Sequence, residues 1–146
     1  MTRIQLVIVV AIVAVIAAIA VPRAVKMSRI SRAEHHVLSI ATGFARYRAD
    51  TGRECTEIKD LLEDPGVPGW MGPYIDKDMI RNPWGGTYGV ELNSQKVGIP
   101  KEDKAPDQYE FGGSEEISSN FADFYSTLVR SKRPSPSTHG DTVAWN

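Results

Sequence analysis

Few side chains in this sequence stand at a spacing that could do chemistry. Cys55 is the single cysteine, so no intrachain disulfide is possible. It is a free thiol, an intermolecular link, or a small half-buried apolar residue, and the last is the expectation. His35 and His36 are adjacent, so on a helix they point about 100° apart and do not suit joint ligation of one ion. His139 falls in a loop-like stretch. Solvated or locally bonded histidines are expected rather than metal ligands. Ser135, Ser137 and Thr138 sit among Pro134 and Pro136 and could carry O-linked sugar, although a plain solvated loop is the simpler reading. Trp84 and Trp145 read as core anchors rather than ligand platforms. No Ser/His/Asp set, no paired carboxylates and no N-x-S/T acceptor stands out. The expectation is a chain that catalyses nothing.

The elements that carry these residues are easier to read. From Ile4 to Val21 there are eighteen residues whose only polar side chain is Gln5. A helix of that length covers roughly 27 Å, close to the thickness of a bilayer core. Lipid favours the helix, because it pairs every backbone amide internally. The run is longer than the core of a secretory signal, so it is expected to stay on the chain despite the Ala18-Ile19-Ala20 sequence.

Charge divides the molecule. The formal net charge is −1, but residues 1–33 carry Arg3, Arg23, Lys26, Arg29 and Arg32 with no acid. The remainder carries all 18 acids against 12 bases, a net of −6. An acidic head argues against nucleic-acid binding.

Pro22 removes one helical hydrogen bond and kinks rather than ends the helix, because the helical pattern resumes. Ile30, Ala33, Val37, Ile40, Ala41, Phe44 and Tyr47 recur mostly at intervals of 3 and 4, so they line one face. Arg23, Lys26, Arg29 and Arg32 form a separate stripe at spacing 3. Gly52 suits the position just past the helix end. The expected domains are a helix over 1–52, hydrophobic over 1–22 and amphipathic over 23–52, and a globular head over 53–146. In the head, Thr56 is expected to cap a short helix over 57–63. Asn82-Pro83-Trp84-Gly85-Gly86 is a dense turn signal. Strands are expected over 87–92, 96–99 and 108–112, with Asn93-Ser94 as a hairpin turn. A helix is expected over 119–130, capped by Ser119 or Asn120. The fold class is α+β: a long N-terminal helix carrying a small head with a short antiparallel sheet.

Several blocks together resemble the type IV pilin superfamily and, within it, the G-type pseudopilins of type II secretion systems. They are the apolar helix with Pro22, Tyr47-Arg-Ala-Asp-Thr-Gly-Arg53, Gly72-Pro-Tyr-Ile-Asp-Lys77 with Arg81-Asn-Pro-Trp-Gly85, and Asp141 with Trp145 four residues on. The resemblance implies removal of a short basic leader by a prepilin peptidase and N-methylation of Met1. Such a leader would keep residue 1 cytoplasmic, although the bases after the helix alone would pull the head inward. It also implies a subunit that waits in the inner membrane with its head in the periplasm and then polymerises into a helical filament. The implied partners are further copies of itself, an inner-membrane assembly platform and minor pseudopilins. A surface pilus subunit is the alternative, and a membrane-anchored domain that never polymerises is the third reading.

Two departures stand out against the resemblance. The family usually has Glu at position 5, thought to pair with a neighbour's N-terminal amine, and Gln5 carries no charge. Arg3 replaces an apolar residue, so this end is positive without an acid before Glu34. Arg3, Gln5 and Pro22 are thus the residues to follow in assembly. The resemblance also implies a calcium ion held by a C-terminal loop, with Asp141 as one ligand. Glu115 and Glu116 stand where the family has a Gly-x-Asp-Gly pattern. The competing reading is that the inserted helix over 119–130 packs this loop and replaces the ion.

Overall fold

The computed structural model describes residues 2–102 and 104–133. One helix, α1 (Arg3–Thr51), runs without interruption through Pro22. Its end is fixed by Gly52, whose φ of 69° is left-handed and whose N–H donates to the Arg48 carbonyl at 2.9 Å. A side chain would strain that backbone, and glycine does not. The amphipathic half buries Ala33, Val37, Ile40, Ala41, Phe44 and Tyr47, and Ile30 is half-buried at the edge. The stripe expected from the spacing is therefore the face that packs.

The head covers that stripe with a sheet and a second helix. Strands β1 (Gly89–Glu91), β2 (Lys96–Gly98) and β3 (Ser118–Asn120) pair antiparallel in that order. Val97 lies opposite Val90 on one side and Ser119 on the other. The β1–β2 turn closes with Gln95 at a φ of 51° and its N–H on the Leu92 carbonyl at 3.2 Å. Helix α2 (Phe121–Lys132) begins directly after β3, and Asn120 caps it by accepting from the Ala122 N–H at 2.9 Å. Three α1–α2 pairs fall in the same order along both helices. Phe44 stacks on Phe121, Arg48 lies 4.4 Å over the Tyr125 ring, and Asp50 meets Lys132 at 3.5 Å. The core of the head is thus built on α1 itself, with Leu61, Val97 and Ile99 fully covered.

Three expectations are corrected in detail. The short helix is a 3-10 turn over Ile58–Leu61, and Glu57, not Thr56, precedes it with no side-chain cap. Ile58 and Leu61 nonetheless point inward. Residues 108–112 are not a strand: Asp107–Tyr109 is a 3-10 turn followed by a bend. The third strand is Ser118–Asn120, whose polar Ser-Ser-Asn sequence carries no strand signal.

Candidate assembly interface

The largest feature outside the head is bare. Between Ile4 and Val21 every large apolar side chain is at least 47% exposed. This is the one helix among the described residues long and apolar enough to cross a membrane. Water opposes such a surface at roughly 25 cal/mol per Å², so covering it with lipid or with other helices is favourable. Ala11, Ala14, Ala17 and Ala18 are small enough to let a neighbouring helix approach.

At the tip, the Thr2 N–H donates to Gln5 Oε1 at 3.2 Å. Gln5 therefore satisfies one of the free amides of its own helix start, as the Gln of a capping box does. No acid lies in the first turn beside Arg3. Met1 lies outside the described residues. Pro22 sits within α1, where the four cations begin; its missing N–H leaves the chain one helical bond short at that level.

Above Pro22, the Asn82–Gly86 turn holds an aromatic pair against α1. Buried Asn82 accepts through Oδ1 from the Trp84 N–H at 3.0 Å and the Gly86 N–H at 3.1 Å. Gly85, at a φ of 95°, completes the turn. The result fixes Trp84 over Tyr109, with ring centroids 5.7 Å apart and planes 23° apart. Trp84 is the half-buried anchor that the sequence suggested. Its partner Tyr109, twenty-five residues on, gave no signal as a partner. Trp145 lies outside the described residues.

Of the residues expected to hold calcium, Glu115 and Glu116 are described, and Glu116 is already engaged by other partners. A hard divalent cation wants about six to eight free oxygens. Glu115 is exposed. Glu116 is already taken up by donors: its Oε1 faces the Ser118 hydroxyl and the Lys96 ammonium, the latter at 3.4 Å, and its Oε2 accepts from the Gly112 N–H at 3.2 Å. The Ser118 hydroxyl first, then the Gly112 amide and Lys96, hold this carboxyl below the usual range against the opposing effect of burial. An ion at Glu116 would have to displace Lys96. Among the described residues no three His, Cys, Asp or Glu side chains are grouped to hold a metal. Asp141, the third expected ligand, lies outside the described residues, as do His139, Ser135, Ser137 and Thr138. Lys96 and Ser118 were missed from sequence: Lys96 lies on β2, twenty positions before Glu116, and meets it only because β2 pairs with β3.

The remaining chemistry-bearing residues are structural. His36 Nδ1 lies 3.2 Å from the Tyr88 hydroxyl, tying α1 to the segment after the turn. Burial first, then His35 and Arg32, lowers its pKa, while the Arg81 carbonyl and Asp78 oppose. Tyr88 is raised by burial. Cys55 is 3% exposed, its thiol donates to the Glu57 carbonyl at 3.0 Å, and burial pushes it up to about 12. That is the small apolar residue expected, not a link between chains.

Against known proteins, residues 20–102 match the family model described as type II secretion system (T2SS), protein G. Over 56 residues the chain is 32% identical to a type II secretion system core protein G of Xanthomonas campestris pv. campestris. That match covers 38% of this chain and 39% of the relative, so it spans about two-fifths of the curated protein's length. No solved structure matches the chain.

Proposed function

The chain belongs to the type II secretion system protein G family, a family of structural pseudopilins, and on that premise we propose that it polymerises into a helical pseudopilus that drives export of folded proteins. The observation that carries this reading is the bare segment Ile4–Val21 on a helix whose other half is the core of the head. Before assembly, lipid covers that segment and the head stands in the periplasm. After assembly, the same segments of neighbouring copies cover one another, in a head-to-tail arrangement that does not close on itself. The partners are further copies, an inner-membrane assembly platform and minor pseudopilins. A prepilin peptidase would expose Met1 for methylation. The role is mechanical and involves no catalysed reaction.

Calcium holds no place in this proposal. Lys96 supplies the positive charge beside Glu116 that an ion would otherwise bring.

The test is Val9→Asp in the middle of the segment. A carboxylate there costs roughly 2.5–3.5 kcal/mol in a bilayer, and more against apolar neighbours that offer no partner. Overproduced wild-type chain should give filaments by electron microscopy of sheared cells, and the variant none. Normal filaments from the variant, or no polymer from the wild type with its secretion apparatus present, would sink the proposal.

A further inference from the structure

A groove of about 400 Å³ lies where α1 leaves its apolar segment. Pro22 and Val25 form one wall, and Trp84 with Tyr109 form the other. Lys26 and Arg29 complete the lining. Of the four stalk cations these two alone line it. Positions 22, 25, 26 and 29 recur at helical spacing, so they share the face that the head overhangs. The lining is apolar except for these two cations. Among the described residues, no carboxylate lies within ion-pair distance of Lys26 or Arg29.

The level of the groove matters as much as its lining. With Ile4–Val21 filling the hydrocarbon core, residues 22–26 rise roughly 7 Å beyond it at 1.5 Å per residue, and the long Arg29 side chain can reach back toward that depth. The headgroup region on each side of a bilayer is of similar depth, roughly 5–8 Å. Tryptophan and tyrosine favour that depth, where an apolar ring body and a polar edge are both satisfied. Cations there gain from anionic headgroups.

We propose that this groove seats one anionic phospholipid, its phosphate against Lys26 and Arg29 and its upper acyl chain against Val25 and Trp84. The proposal rests on the reading that Ile4–Val21 spans a membrane before assembly. It gives the unassembled subunit a lipid preference and makes loss of that lipid part of entry into the filament.

The experiment uses the full chain in phosphatidylcholine vesicles doped with brominated phosphatidylglycerol or, in parallel, brominated phosphatidylcholine. Flotation with the vesicles reports the span. The part of tryptophan quenching that disappears in Trp84→Phe reports the groove. Brominated phosphatidylglycerol is expected to quench Trp84 roughly tenfold more effectively per mole than the zwitterionic lipid. The double variant Lys26→Gln/Arg29→Gln should erase the preference while still floating. Equal quenching by the two lipids in a chain that floats overturns the lipid site and leaves the span intact. Quenching that falls as protein density rises at fixed lipid composition would assign the groove to a second copy's helix, and also overturns it. A chain that does not float removes the spanning reading and this inference together.

Discussion

Phe44, on the buried stripe of α1, stacks on Phe121, the first residue of α2, with ring centroids 5.0 Å apart and planes 23° apart. The two residues are 2% and 5% exposed. This contact fastens the inserted helix to the long one. Phe121→Ala should remove about 3–5 kcal/mol from the stability of the head, because burial and ring packing are lost and a cavity is left. Thermal unfolding followed by circular dichroism should show a drop in midpoint well beyond 10 °C for a domain of this size. A drop of only a few degrees would mean that α2 is not part of the cooperative core.

Protonation of His36 should loosen the head. Its folded pKa is below the ordinary 6.5, chiefly through burial. The folded state therefore binds fewer protons than the unfolded one, so this contribution is present above 6.5 and is lost as pH falls through the folded pKa. The urea midpoint should fall as pH drops below 6.5, and His36→Gln should flatten that dependence. Glu116, with its lowered pKa, loses its contribution in a separate, more acidic window.

Calcium should be inert toward the head. Lys96 and Glu116 are 3.4 Å apart and partly exposed, so their pair is worth at most about 1 kcal/mol. Melting curves in excess calcium and in chelator should coincide. Lys96→Met frees one side of the Glu116 carboxylate and should lower the midpoint slightly. A large calcium-dependent rise in the wild type would show that the head holds an ion.

Cys55 should be silent to thiol reagents in the folded protein. Its 3% exposure and a thiol pushed up to about 12 leave almost no reactive thiolate. Labelling should proceed only in denaturant, and filaments should run as monomer on non-reducing gels. Rapid labelling of native chain would contradict the burial.

The sequence made some of this legible for clear reasons. The stripe from Ala33 to Tyr47 was readable because one helix face meets one continuous core, so spacing and burial coincide. The start of α2 was readable because Asn120 is a strong local cap. The segment 108–112 misled because Tyr109 and Phe111 alternate like strand residues. Glu110 between them is buried too, so no period of two exists there. Single bonds such as Phe111 N–H to the Ile99 carbonyl at 3.0 Å hold it instead. Of the candidate interface, the bare segment was plain from composition. The groove was not, because Trp84 and Tyr109 reach α1 only through tertiary packing.

The unbroken passage of α1 from the bare segment into the buried stripe leaves no slack linker between stalk and head. A load applied along the stalk therefore enters the head as shear across Phe44, Ile40 and Val37, spread over several turns. The head cannot swivel on its own. Pro22 is the place where the shaft lacks a helical bond, so bending strain concentrates there, below the head. The molecule is stiff as a strut above that joint and compliant at it.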